Sequence, residues 1–241
     1  MLIPSQSWGE DIPIDSSFIR HNLDEIKQNL NEIQQNIAHC KTKIIAVTKY
    51  FGLKSMISGY EAGIRDFAES RAKEGSEKIN ALPDEIKDNS TFHFIGHLQT
   101  NKVDIVVKNF DIIQSVDSLK VAEAISKSAC RLNKREKILL QVNNAGEEQK
   151  TGYTKEHLKQ DFNAIMSLNN IEVLGLMNMA PLGANESELD ELFEDMKRFR
   201  NELEAEFKIS LPELSMGMSD DYVVALKHGA TMIRIGRKLF T

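Results

Sequence analysis

The sequence predicts a single (β/α)8 TIM barrel with an extra N-terminal helix. Short apolar runs of strand length alternate with amphipathic helical stretches, an order that builds a parallel sheet. Eight strand–helix units fit within the 241 residues, a length usual for one such barrel. No linker or shift of composition divides them, so residues 1–241 read as one domain, with 1–15 as an irregular N-terminal arm. A doubly wound open sheet is the competing topology for the same alternation.

Over 17–39 the apolar positions Phe18, Ile19, Leu23, Ile26, Leu30, Ile33 and Ile37 recur at helical spacing. This helix is expected to plug one end of the barrel. Residues 43–49, KIIAVTK, form the first strand, whose continuous apolar run suits burial on both faces. A helix over 55–63, the strand RDFAES (65–70), a charged helix over 71–82 and the strand TFHFIG (91–96) follow. Next come a helix over 99–109, the strand DIIQSV (111–116), a helix over 118–132 and the strand KILLQVN (137–143). A helix over 155–168 leads into the strand EVLGLMNM (172–179). The clearest helix, 187–207, puts Leu189, Leu192, Phe193, Met196, Phe199, Leu203 and Phe207 on one face and charge on the other. The strand PELSMG (212–217), a helix over 220–229 ending at Gly229, and the strand TMIRIG (231–236) complete the count.

Composition narrows the function classes. The chain is 41% hydrophobic and 27% charged, with 30 basic and 36 acidic residues and a formal net charge of −6. It has no basic arm or polybasic run, which argues against nucleic acid or anionic membrane as the main partner. No run approaches the roughly 20 apolar residues of a membrane span, and the N-terminus lacks the marks of a signal peptide. The expected location is cytoplasmic. Cys40 and Cys130 read as two buried thiols rather than a disulfide or metal pair.

In a (β/α)8 barrel the active site lies at the C-terminal ends of the strands. Those ends carry Lys49, then Glu69 and Ser70, Gly96 and His97, Ser115 and Asp117, Gln141 and Asn143, Met177 and Asn178. The last two carry the runs 215–219 and 234–237. A lysine at the tip of the first strand is either a solvated loop residue or, partly desolvated, a nucleophile. Loops after the seventh and eighth strands frequently form a phosphate site in this fold. Gly217 and Gly236 permit close backbone approach, Ser219 offers a hydroxyl, and the helix after it offers free N–H groups. Asp220 and Asp221 are expected to face outward, because either would repel a phosphate. Taken alone, these glycines are turns and Ser219 a helix cap. Taken with Lys49, they propose a phosphate-bearing aldehyde as ligand. Met177 and Met179 read as packing. His93 and His97 have no Glu-x-x-His or Cys-x-x-Cys companion, which argues against a metal. Neither a G-x-S-x-G elbow nor a Walker loop occurs.

The chain resembles the pyridoxal phosphate homeostasis proteins, the single-domain family also called YggS or PROSC. The resemblance rests on IIAVTK, DFAES, FHFIGHLQTNK, LLQVN, KTGY, GLM, LSMGMSDD and IRIGRKLF, in order from residue 44 to 240. It implies a barrel like the alanine racemase N-terminal domain, with pyridoxal 5′-phosphate (PLP) held as an internal aldimine on Lys49. It also implies that Ser219 and the backbone around Gly236 and Arg237 hold the phosphate, with Arg234 facing the pyridine nitrogen. Met218 and His97 would be walls of the pocket. A guanidinium facing that nitrogen would keep it unprotonated and weaken the cofactor as an electron sink. Two positions depart from the family pattern. Ser70 stands where many members have an asparagine near the cofactor. Arg237 stands where a small hydroxyl residue is frequent, so a side-chain bond to phosphate becomes charge-assisted.

Alanine racemase-like enzymes carry a second, all-β domain that contributes a tyrosine acid/base. This sequence ends at Thr241, directly after the eighth strand, with Tyr50, Tyr60, Tyr153 and Tyr222 as its tyrosines. The resemblance therefore implies a non-catalytic PLP-binding protein, a monomer that stores, buffers or delivers PLP and so affects amino-acid and keto-acid balance. PLP-dependent apo-enzymes would be its partners. The alternatives are a PLP-dependent racemase or decarboxylase using another base, and a cofactor-free Schiff-base aldolase.

Overall fold

A computed structural model describes residues 16–38, 41–147 and 151–241, with side chains from residue 23 onward in the first segment. The expected arm at 1–15, Cys40 and Lys150 of the KTGY motif lie outside the described residues. Eight parallel strands close into a barrel in sequence order, which rules out the open sheet. They are β1 (Lys43–Val47), β2 (Asp66–Glu69), β3 (Thr91–Phe94), β4 (Ile112–Val116), β5 (Glu136–Gln141), β6 (Ile171–Met177), β7 (Glu213–Met218) and β8 (Met232–Ile235). Closure is set by the β1–β8 register, with Ile45 opposite Arg234 and Ala46 opposite Ile235.

The helices are α1 (Ser16–Ile37), α2 (Leu53–Glu61), α3 (Ala72–Ala81), α4 (Asp84–Asp88), α5 (Val103–Asn109), α6 (Leu119–Arg131), α7 (Lys155–Met166), α8 (Glu186–Phe207), α9 (Tyr222–Lys227) and α10 (Arg237–Phe240). Pro83 divides α3 from the short α4, and a 3₁₀ turn (Thr100–Lys102) precedes α5. Neither α4 nor α10 is long enough to show a period in sequence. The amphipathic helix α8, equal in length to α1, begins at a capping box between Asn185 and Glu188 and ends at Lys208 in the left-handed region (φ 53°). Leu189, Leu192, Phe193, Met196, Phe199 and Leu203 are its buried face.

The N-terminal helix sits elsewhere than at a barrel end. It packs on α2 and α10, beside the seam of β1 and β8. Asn29 Nδ2 donates to the Leu239 carbonyl at 3.2 Å and Asn36 Nδ2 to the Tyr222 hydroxyl at 2.8 Å. The reason is apolar: Ile26, Leu30 and Ile33 of α1 are buried in the main core cluster together with Ala46 of β1 and Ile233 and Ile235 of β8.

The expected burial of Cys130 is also corrected. Its side chain is exposed, because it lies on the solvent side of α6 while Ile125 and Ala129 face the sheet. Among the described residues, no helix is long and apolar enough to cross a membrane.

Candidate functional site

Strand alternation sorts the residues into two layers. Ala46, Phe67, Phe92, Phe94, Leu214, Ile233 and Ile235 join the main core between sheet and helices. Ile45, Val47, Ala68, Leu139, Met177 and Met232 form a second, smaller cluster inside the barrel. Because side chains alternate along a strand, the second set defines the inward parity. Lys49 follows Ile45 and Val47 on that parity, Ser70 follows Ala68, and Arg234 and Gly236 follow Met232. All strands are parallel, so these positions collect at one rim.

Lys49 is half-buried, with Nζ 5.1 Å from the centroid of the exposed Tyr50 ring. Its backbone is held from behind. Lys78 of α3 donates to the carbonyls of Thr48 (3.1 Å) and Phe51 (2.8 Å), bracketing Lys49, and to Glu69 Oε1 (3.0 Å). Thr48 Oγ1 donates to the same Glu69 oxygen at 2.7 Å. Glu69 has outward parity and is buried, and burial raises its carboxyl above the ordinary value against the pull of Lys78. The sequence gives Lys78 no distinction, since it sits in a charged helix within i,i+4 reach of Glu74.

Across the rim, Ser70 is half-buried and its carbonyl packs on Gly96 so closely that an added Cβ would lie 1.9 Å from that oxygen. His97 is exposed, with Nδ1 3.1 Å from Asp117 Oδ2 at the end of β4.

Arg234 is buried in β8. Nη1 donates to Ser215 Oγ at 2.7 Å and Nη2 to the Asn178 carbonyl at 2.6 Å. Burial pushes its guanidinium down to about 10, opposed by the Asp221 carboxylate, so it remains a cation at neutral pH. Asp221 corrects an expectation: it is buried and accepts from the Met218 N–H, and burial raises its pKa. Only Asp220 faces outward, where it pairs with the exposed Arg237 guanidinium at 2.6 Å. Arg237 therefore offers the rim its backbone, its side chain being turned to Asp220.

Ser219 does not cap α9, which starts after Asp221. Instead the Gly236 and Lys238 N–H groups both point at Ser219 Oγ, each at 3.4 Å. Gly217 holds the turn before it at φ 94°, with a hypothetical Cβ 2.8 Å from Ala225 Cβ. Met218, half-buried, lies between. Two backbone donors from the turn after β8 and a hydroxyl from the turn after β7 come together there and fit a phosphate. A primary amine and a buried arginine on the same rim fit an aldehyde-bearing heterocycle. Nearby, the buried Asn178 Oδ1 has no protein partner.

The alanine racemase N-terminal domain profile matches residues 21–241. The pyridoxal phosphate homeostasis protein of Synechocystis sp. is 43% identical over 198 residues, covering 82% of this chain and 90% of that protein. Its counterpart in Aquifex aeolicus is 37% identical, covering 82% and 86%. PipY of Synechococcus elongatus, solved with PLP bound, is 34% identical with a TM-score of 0.82, covering 90% of this chain and 100% of that one. Alanine racemase of Clostridium difficile, at 16% identity and TM-score 0.69 over 93% of this chain and 56% of its own, shares the fold alone. The chain belongs to the pyridoxal phosphate homeostasis protein family, built on the barrel of the alanine racemase N-terminal domain.

Proposed function

We propose that this protein binds PLP at the C-terminal rim of its barrel and serves intracellular PLP homeostasis, without turning amino acids over. The observation that carries the reading is the likeness to PipY, solved with PLP bound, across 90% of the chain. Bound there, the group supplies an aldehyde that condenses with a primary amine and a ring that draws electrons from it. Lys49 is the amine. Ser219 and the N–H groups of Gly236 and Lys238 take the phosphate, with Met218 and His97 as flanking walls and Ser70 beside the ring. Arg234 faces the ring nitrogen. As a donor-only cation it would offer an N–H to that nitrogen's lone pair and cannot accept a hydrogen bond from a protonated ring, so the nitrogen would stay unprotonated and the electron sink weak.

The domain unit is the single barrel, residues 1–241, acting as a cytoplasmic monomer that stores PLP and hands it to PLP-dependent apo-enzymes. The likeness to racemases and decarboxylases supports only the shared fold, at 16% and 15% identity. Borohydride reduction of PLP-loaded protein, followed by mass spectrometry, is expected to place the label on Lys49, and Lys49→Ala to abolish it. A label on another lysine overturns the site. Sustained racemisation or decarboxylation that disappears in Lys49→Ala overturns the carrier role.

A further inference from the structure

Inside the barrel, the bond from Arg234 to Ser215 is the first link of a longer chain. Ser215 Oγ donates to Gln114 Oε1 at 2.7 Å, and Gln114 Nε2 lies 2.9 Å from His93 Nδ1. His93 Nε2 in turn lies 3.0 Å from Asp66 Oδ1. Arg234, Ser215, Gln114 and His93 are buried, whereas Asp66 is partly exposed at the start of β2, at the barrel end opposite the rim.

The direction of each link follows from the first. A guanidinium only donates, so Ser215 Oγ accepts from Arg234 and gives its one proton to Gln114. That turns the Gln114 amide oxygen to Ser215 and its NH2 to His93, with Met232 Sδ at 3.7 Å as a second acceptor. An amide nitrogen cannot accept, so His93 Nδ1 presents a lone pair and its ring proton sits on Nε2, donated to Asp66. A reversed amide would set Oε1 against Nδ1 and require an imidazolium. The chain thus runs from cation to anion through three neutral groups oriented one way, so that each bond polarises the next.

We infer that Ser215, Gln114 and His93 are positioning residues for Arg234, fixing the guanidinium from below while the Asn178 carbonyl holds it from the side. The inference rests on the reading of Arg234 as the group facing the PLP ring nitrogen. Cutting the chain at Gln114 leaves the Ser215 hydroxyl, one of the two anchors, without the acceptor that orients it and lets the guanidinium shift against the ring.

Nitrogen-15 NMR of the ligand-free protein tests the chain by itself. Lone-pair character at His93 Nδ1 and a proton on Nε2 are expected; a neutral ring protonated at Nδ1 overturns it. In loaded protein, Gln114→Met removes both polar ends of the amide at similar volume. It is expected to speed PLP release about five- to tenfold, the equivalent of one lost hydrogen bond, and to shift the bound-PLP absorbance band. Gln114→Glu keeps the acceptor for Ser215 and places a proton on both His93 nitrogens. It is expected to stay within about twofold of the parent with an unshifted band, although a buried carboxylate lowers Tm at least as much. If both variants lose Tm and keep the parent's spectrum and release rate, the chain is structural and the inference falls. Ser215→Ala removes the Arg234 anchor itself and carries the same expectations should Gln114→Met fail to fold. Arg234→Gln is measured alongside: an unchanged spectrum and rate overturns the reading of Arg234, while the His93 tautomer still reports on the chain.

Discussion

Lys78→Met removes the ammonium behind the Lys49 turn while keeping the length and apolar stem of the side chain. Three acceptors lose a donor: the Thr48 and Phe51 carbonyls and Glu69 Oε1, at 3.1, 2.8 and 3.0 Å. Lys78 is 10% exposed and Glu69 1%, so solvent screens this pair little. Breaking a buried pair from one side costs about 3–5 kcal/mol. Thr48 still donates to Glu69, which places the expected loss near the lower end, about 3 kcal/mol at pH 8. The loss depends on pH with a definite sign. Burial already raises the Glu69 carboxyl, and Lys78 is the largest influence lowering it, so the variant raises it further. A raised carboxyl binds its proton in the folded state first. Stability is full below the unfolded value and is lost as pH rises through the folded one. The variant therefore loses less at pH 5 than at pH 8. Urea unfolding followed by circular dichroism, on Lys78→Met, Glu69→Gln and the double variant, gives the coupling directly. The double variant is expected to recover half or more of the loss, since no uncompensated charge remains. A loss below about 1 kcal/mol at pH 8, or a double variant no better than Lys78→Met, refutes the reasoning.

Gly96→Ala sets a Cβ 1.9 Å from the Ser70 carbonyl oxygen, a backbone atom that no rotamer can move aside. It is expected to destabilise by about 3 kcal/mol in the same urea assay and to weaken PLP binding by displacing Ser70 and His97; unchanged stability contradicts the close packing. Glu136, fully buried at the start of β5 with Lys134 Nζ at 2.8 Å, has its carboxyl pushed up by burial to about 7. Its stabilising share is full below about pH 4.5 and is lost as pH rises to about 7, roughly 3 kcal/mol in all. Glu136→Gln should flatten that part of the stability–pH curve, and an unchanged slope sinks the assignment.

Several parts of the barrel were open to sequence reading because they depend on local periodicity. The apolar run ending at Lys49, the face of α8 and the turn residues around Ser219 and Gly236 all carry their signal within a few neighbours. The short α4 and α10 carried none, having too few residues to display a period. Asp221 departs from the sequence expectation because its neighbour Asp220 looks the same in sequence; only the fold turns one to the Met218 N–H and the other to Arg237. Alternation within each strand held the inward parity of Lys49, Ser70, Arg234 and Gly236, but not which parity faced inward.

By itself, then, the sequence determined the order of the eight strands and the longer helices, the place of a lysine at the first strand tip and the serine and glycine turns after the last two strands. These follow from backbone geometry that repeats every two or 3.6 residues. The tertiary structure decided the contacts that hold those groups. Lys78 reaches Thr48 from 30 residues away, and Ser215 reaches Gln114 across 101. Such pairings carry no local signal, because any buried polar group needs some partner and only barrel closure brings a particular one within hydrogen-bond distance.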